Sequence, residues 1–581
     1  MTKTNTQKPI QLITLFNLIG FFMLWLFYDK SFEIVLYGVA VIGIIWFAYL
    51  VLSSMSMDDQ YIFLIVAMLF SIGILVILRG DAYRDTQRGK MQIIWFAIAL
   101  IGFFAAYLIV MRSKWIHKIG FGFFGIAVGL SLFTMIFGKD LTGAGVKNWI
   151  SVGPFSIQTT EIVKYLVLFM IADRFHNPKR YRLFNLDEGI VISGMVYVVI
   201  GIMVLQKELG TILVIYTTYI AMLCLFNEKK RIILINIGII LFGAAMLFLF
   251  RNSLFSAIYN TFMGRVEIWK NLWTLDPTEV DGVGALMYSM FAIGSGGLFG
   301  MGLGNGRTGI LEASVEDYIF SFICQEMGLM VGIAIILMFF LLMYRGLRLS
   351  LNIKHKFYRT IGAGICIMFG FQTFIIIGGV TGLIPLTGIT LPFVSAGGSS
   401  LVVSFMAIGF LEGAANKTDE TAKAIAKKKT SDFVLGADLI GDERYSHSIL
   451  KKTDSDKAEY TQEEVPDVVM PVNVPSAWAE DDWLYREDYE AQRSKDGVFF
   501  YAGDLTDSKP VENISPEPIE KESNTSDFFT TGDTDSSAPK FEFSDVPKIY
   551  PTETKVADVP TEEPEEKKPF ENEFFSSGGD L

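Results

Sequence analysis

Cysteine and histidine are scarce, with three of the first and four of the second among 581 residues. Cys224, Cys324 and Cys366 each fall inside a long apolar run, which leaves no disulfide framework and no metal-ligand spacing to read. Charge is thin as well: Asp, Glu, Lys and Arg make up 19% of the chain, against 51% hydrophobic and 14% aromatic residues. Such a composition describes a membrane protein joined to something else, with no sign of a nucleic-acid partner. The net charge of −12 averages two unlike parts. Residues 1–416 hold 30 basic and 22 acidic side chains, whereas 417–581 hold 19 and 39. A mildly basic membrane portion therefore precedes a strongly acidic tail. The first apolar run lacks a small-residue cleavage site and more runs follow it, so no cleavable signal peptide is expected.

Apolar runs predict twelve membrane spans, near 10–28, 34–53, 60–79, 91–111, 118–137, 161–175, 188–204, 209–226, 231–250, 317–344, 357–380 and 397–412. The fold expected is all-α, a polytopic helix bundle. An even number of spans puts both termini on one side. Arg112, Lys114, Lys118, Arg174, Lys179, Arg180, Arg182, Lys229, Lys230, Arg231, Arg345, Arg348, Lys354, Lys356 and Lys427 to Lys429 then share one face, which the positive-inside rule makes cytoplasmic. Arg79, Arg84, Arg88 and Lys90 fall on the other face and break the rule. All four histidines (His117, His176, His355 and His447) fall on the cytoplasmic side. Proton chemistry on the outer face must then come from carboxylates.

The stretch Gly294–Gly328 gathers the most informative chemistry, running from a glycine-rich loop through Glu312, Glu316 and Asp317 into an apolar helix with Gln325 and Glu326 inside it. Glycine permits tight turns and close approach, and an acid at membrane depth is costly unless partnered or used. The bland alternative is a surface loop capping a helix with one incidental acid. Three further pieces share the outer face. Gly143–Lys164 enters the sixth span with Glu161 and Lys164 three apart, neighbours on one helix face and equally readable as an interfacial ion pair. Gln206–Thr211 is a charged hairpin tip, readable as a solvated turn. Gly382–Ser400 carries two prolines and four glycines, irregular backbone of the kind tolerated where it lines a cavity. Its glycine-serine end opens the last span, where free N–H groups suit a phosphate. The 251–316 loop also holds a short segment, Ala285–Phe299, expected to be re-entrant or interfacial. Beyond residue 417, Asp, Glu, Ser, Thr, Pro and Lys dominate, which predicts a disordered cytoplasmic tail with small aromatic clumps at Trp478–Trp483 and Phe570–Phe575.

In this order, these pieces resemble the SEDS family of cell-wall polymerases, the RodA, FtsW and SpoVE group. The resemblance rests on Gly145–Trp149 with Gln158–Lys164, Glu208–Thr211, Gly294–Gly304 with Asp317–Phe320 and Glu326–Gly328, and Pro385–Ser400. The family has ten spans, so residues 1–56 look like a two-helix addition, 57–416 like the polymerase domain with its large 251–316 loop, and 417–581 like an added tail. Several positions depart from the family pattern. Asn148 replaces a frequent arginine, Thr159 a proline, Lys207–Glu208 a Pro-Asp, Tyr288 a glutamine, Val315 a histidine, Ile376 an asparagine and Ala396 a tyrosine.

The resemblance implies polymerisation of lipid II into glycan strands outside the cytoplasmic membrane, with a class B penicillin-binding transpeptidase as partner. Division or elongation proteins are further partners expected through the tail. Asp317 matches the family's catalytic aspartate, and Glu161, Lys164 and Glu208 match polar residues it relies on nearby. Substrate contacts are expected from Lys147, Trp149, Gln158, Glu161, Lys164, Glu208, Glu326, Ser395, Gly397, Gly398, Ser399 and Ser400. Lys164, Lys147 and the Gly397–Ser400 helix start are the candidates for neutralising the leaving pyrophosphate, with Glu161 orienting Lys164 and Glu326 supporting from below. A divalent cation, Mg or Mn, is compatible with this chemistry, with Asp317 as its one candidate ligand. Two other functions stay open on the sequence. One is a flippase for the same lipid-linked sugar, and the other is a non-catalytic scaffold for division or elongation proteins.

Overall fold

Hydrocarbon offers no water to amides and carbonyls, so apolar runs close their hydrogen bonds internally, as helices. The computed structural model describes residues 6–417 apart from short segments, the longest being 141–147 and 307–314. The chain divides into two units, Met1–Glu459 and Tyr460–Leu581. The acidic tail read from the sequence lies, past Lys417, outside the described residues.

Helices α1 (Gln7–Phe27) and α2 (Phe32–Ser54) come first, followed by α3 (Gln60–Arg84), α4 (Arg88–Arg112) and α5 (Phe121–Phe137). Next are α6 (Thr159–His176), α7 (Glu188–Leu205), α8 (Leu209–Leu225) and α9 (Lys230–Leu249). The long loop contributes α10 (Ser256–Asn271) and α11 (Val283–Gly296). The chain then forms α12 (Ile319–Met327), α13 (Leu329–Leu351), α14 (Lys356–Val380) and α15 (Gly398–Lys417). Nine helices among the described residues are long and apolar enough to cross a bilayer. The protein is a polytopic helical membrane bundle. The one sheet among the described residues is a hairpin the sequence did not suggest: β1 (Trp149–Val152) pairs antiparallel with β2 (Phe155–Gln158), Trp149 opposite Gln158.

α3 is the centre of the bundle, 89% buried along its span, while α9 is only 11% buried and faces outward. Apolar contact drives little association in lipid, so buried hydrogen bonds and small residues join the helices. Asn17 on α1 donates from Nδ2 to Ser71 Oγ on α3 at 2.8 Å. Trp46 on α2 donates from Nε1 to Thr14 Oγ1 at 2.8 Å, and Thr6 donates to Gln60 Oε1 at 2.8 Å.

The single span expected over 317–344 is corrected by the structure. It is broken at Gly328 into α12 and α13, because Gly328 has φ +91° and cannot continue a helix. The break leaves orphan backbone groups, and the glycine-rich segment 297–302 supplies their partners. Met301 and Gly302 donate N–H to the carbonyls of Gln325 and Glu326 at 2.9 and 3.0 Å. Leu329 and Met330 donate N–H to the carbonyls of Gly297 and Leu298 at 2.9 and 3.2 Å. The two backbones lie so close that a Cβ on Gly328 would come within 2.3 Å of Leu298 O.

At the far end, some 25 Å along α6 from its first residue, the rings of His117, His176 and His355 cluster with centroids 4.7–5.8 Å apart. Buried Asp173 accepts from Arg180 and Tyr181 in the same region. His447 lies outside the described residues.

Replacing Gly328 with alanine combines a left-handed backbone with a forced clash. Thermal unfolding in detergent should show Gly328→Ala destabilised by about 1–3 kcal/mol or more, and an unchanged midpoint would contradict the close approach of the two backbones.

Candidate active site

One end of the bundle collects the hairpin, the α7–α8 turn, the residues before α12 and the segment 382–397. Loop 382–397 is the hub. Arg265 on α10 donates from Nη1 to Thr387 O at 2.8 Å, and Trp269, one turn on, donates from Nε1 to Gly382 O at 2.7 Å. Gln372 on α14 donates from Nε2 to Thr390 O at 2.8 Å. Gly388, with φ +67°, presents no side chain toward Asp317, and a Cβ there would stand 3.7 Å from Asp317 Oδ2. Gly210, two residues after Glu208, packs so closely that its Cβ would lie 2.9 Å from Thr387 O.

Asp317 sits half-buried in the turn before α12. The turn is clamped from both sides: Ser395 Oγ donates to Glu316 O at 2.7 Å, and Ala396 N–H donates to Val315 O at 2.8 Å. Burial, with the neighbouring Glu316 charge, lifts the Asp317 carboxyl to about 7, while the Arg265 guanidinium pulls it back down. Glu208, at the start of α8, is also held near 7, chiefly by burial. Its carboxylate accepts from Thr211 Oγ1 at 3.2 Å and from the Gln158 side chain, and feels the Glu161 charge. A carboxyl poised near neutrality can both take and give a proton at working pH.

Glu161 and Lys164 do pair, at 2.7 Å, but the reading of an interfacial pair reaching for water is corrected: both side chains are buried. Lys164 Nζ also donates to Gln372 Oε1 at 2.9 Å. A chain of bonds therefore runs from Glu161 through Lys164 and Gln372 to Thr390 O, with Thr390 and Ser400 hydroxyls 3.0 Å apart beyond it. Lys164 is enclosed by partners and not presented at an open mouth.

The glycine-serine start of α15 is likewise engaged internally. Ser395 Oγ accepts from Leu391 N–H at 2.8 Å, and Ser399 Oγ accepts from Gln158 N–H at 3.2 Å. Ser395, Ser399 and Ser400 are buried, and Gly398 lies against the Trp95 ring. These residues brace the site's walls. Gly397 accepts the N–H of Leu401 through its carbonyl at 2.9 Å, closing the first turn. Trp149 holds the hairpin base, its carbonyl accepting from Lys139 N–H at 2.8 Å. Lys147 lies outside the described residues, as does Glu312.

Glu326 is fully buried and sits 3.5 Å from Arg79 Nε. Arg79 donates from Nη2 to the carbonyls of Gly304 and Gly306 at 2.8 and 3.1 Å. Arg88 Nη1 donates to Glu316 Oε1 at 2.9 Å. Two of the four basic residues that broke the charge rule, Arg79 and Arg88, thus answer acids of the long loop and its helix. Arg265, which the sequence reading passed over, is the cation whose charge bears on both Asp317 and Glu208.

Residues 59–420 match a family of cell cycle proteins, that of FtsW, RodA and SpoVE. The chain belongs to the FtsW/RodA/SpoVE family. Stage V sporulation protein E of Bacillus subtilis is 33% identical over 365 residues, covering 61% of this chain and 95% of that protein. Peptidoglycan glycosyltransferase RodA of Mycobacterium tuberculosis is 28% identical over 433 residues, 70% of this chain and 88% of that one. The fold is shared with a chain of a solved peptidoglycan synthase complex that coordinates polymerization and crosslinking, with a TM-score of 0.50 at 20% identity over 62% of this chain and 98% of that chain. The FtsW/RodA/SpoVE match begins just before α3, so α1 and α2 lie outside it.

Two outcomes follow from this geometry. Asp317 and Glu208 hold their protons more tightly folded than unfolded, so their contribution to stability is present at low pH and is lost as pH rises toward about 7. Thermal unfolding scanned over pH should show stability falling between about 4 and 7, with a shallower fall in Asp317→Asn. A slope identical in the variant would remove Asp317 from the account. For Glu161 and Lys164, removing one partner strands a buried charge and should cost about 3–5 kcal/mol. Glu161→Gln with Lys164→Met together should cost much less than the two singles summed, and additive losses would mean the pair is not coupled.

Proposed function

We infer that this chain is a peptidoglycan glycosyltransferase, which polymerises lipid II into glycan strands at the end of the bundle that carries Asp317. The observation that carries the reading is Asp317 itself: half-buried at the rim, poised near 7, and faced by the side-chain-free surface of Gly388. Relatives named as peptidoglycan glycosyltransferases support the same activity.

In the reaction, the 4-hydroxyl of one sugar displaces a lipid diphosphate from the anomeric carbon of another. Asp317 as carboxylate removes the hydroxyl proton. The buried network from Glu161 to Thr390 holds the hub loop in register with Asp317, and Glu208 with Gln158 fixes the opposite wall. The lipid chain stays in the bilayer beside the outward-facing helices while the head group reacts.

A divalent cation fits this donor set only as a companion of the diphosphate. Mg keeps most of its waters and binds through one or two carboxylates plus phosphate oxygens, and Asp317 is the carboxylate that would hold it. No group of three or more potential ligands capable of holding a metal ion exists among the described residues. Such an ion would supply charge to the diphosphate oxygens.

The charge bias of the loops supports an orientation with Asp317 outside and both termini cytoplasmic. A class B penicillin-binding transpeptidase is the partner this reading implies, since the solved complex of the same fold couples polymerization to crosslinking. The acidic tail is the segment for cytoplasmic division or elongation proteins. A helix broken at membrane depth also serves transporters. Here the acids gather at one end of the bundle, which favours an enzyme.

Purified protein should polymerise lipid II, alone or with a candidate transpeptidase, and Asp317→Asn should lose strand synthesis while keeping its fold. A well-folded, fully active Asp317→Asn protein would sink the assignment of Asp317 as the base.

A further inference from the structure

Most cations at the catalytic end already have partners. Arg79 is committed to Glu326 and two loop carbonyls, Arg88 to Glu316, and Lys164 to Glu161 and Gln372. Arg265 is different. It makes one bond, from Nη1 to Thr387 O, and closes no ion pair among the described residues. A guanidinium carries five N–H donors in a planar fork, so one bond anchors it and leaves an edge to offer.

Its position is fixed by what it touches. The carbonyl it grips belongs to the residue before Gly388, the glycine that faces Asp317. The same carbonyl lies against Gly210, in the turn that carries Glu208. Trp269, anchored one turn along α10, keeps the helix from rolling. Beside the grip, Thr387 Oγ1 is buried and has no hydrogen-bond partner. The half-anchored guanidinium is thus bonded to the residue next to Gly388, and Gly388 puts no side chain in front of the Asp317 carboxyl.

We propose that Arg265 is the group that takes the leaving diphosphate of the donor, the part first expected of Lys164, Lys147 or the Gly397–Ser400 helix start. This rests on the glycosyltransferase reading above. As the acceptor oxygen bonds to the anomeric carbon, the bond from that carbon to the diphosphate oxygen breaks and its electron pair departs with the oxygen. The hydroxyl proton passes to the Asp317 carboxylate. The lipid diphosphate leaves with one more negative charge than it carried in the substrate, and that added charge is what the free edge of Arg265 binds. Lys164, enclosed between Glu161 and Gln372, holds the wall behind it.

The test is lipid II polymerisation by the full-length chain, with kcat, KM and pH dependence measured for Arg265→Gln and Arg265→Lys. Arg265→Gln should lower kcat about 100-fold with KM within threefold. The acid limb of its rate profile should also move to higher pH, because Asp317 loses the positive charge that favours its carboxylate. Inhibition by the product, undecaprenyl diphosphate, should weaken in the same variant. Arg265→Lys keeps a donor for Thr387 O and should fold like the unmodified chain, yet lose at least tenfold in kcat, since a point charge cannot match the fork. It therefore serves as the test if Arg265→Gln does not fold. A kcat within threefold of the unmodified chain in either folded variant, with Asp317→Asn inactive, overturns the role of Arg265 and leaves the enzyme reading intact. An unmodified chain that makes no strands, alone or with a transpeptidase, overturns the enzyme reading itself.

Discussion

A buried arginine and a buried glutamate, Arg79 and Glu326, set the geometry on which the catalytic end depends. Neither charge can be left alone at that depth without a cost of several kcal/mol. Their pairing ties the central helix α3 to the short helix α12, and Nη2 of Arg79 holds the carbonyls of Gly304 and Gly306. With α12 fixed, the break at Gly328 can be filled by segment 297–302, and the turn bearing Asp317 emerges at one place only. Arg88 and Glu316 repeat the arrangement nearer the surface, where a pair 35% and 45% exposed contributes far less.

The site also illustrates why such ends are seldom optimised for stability. Asp317 and Glu208 sit where burial opposes their charged forms, and Glu161 and Lys164 are compensated only by each other and by Gln372. A bundle of plain apolar helices would fold without any of these. Retaining them costs stability and yields carboxyls that titrate near neutral pH.

Much of the fold was legible because membrane crossing is a one-dimensional requirement: length and apolarity suffice to find a span. The pair of Glu161 and Lys164 was visible from its three-residue spacing, though its burial was not, since that depends on α8 and α14 closing over it. The break at Gly328 was hidden because one glycine in an apolar run is compatible with an unbroken helix. Only the partner segment at 297–302 makes the interruption tolerable. Arg79 and Arg88 looked like violations of a charge rule because counting loops ignores partners more than 200 residues away. Arg265 carried no signal of its own, being one basic residue in a long loop whose importance comes from where α10 docks.

The pairing of Arg79 with Glu326 also has a history within each molecule. Ribosomes add roughly 5–20 residues per second, so the glutamate follows the arginine into the membrane after about 10–50 s. During that interval α3 stands in or beside the translocation machinery with an ionised guanidinium and no carboxylate to meet it. The helix that ends up innermost is therefore the one least able to settle early. Segment 297–302, in contrast, is made just ahead of the helix break it completes, and awaits its partner for only about 1–6 s.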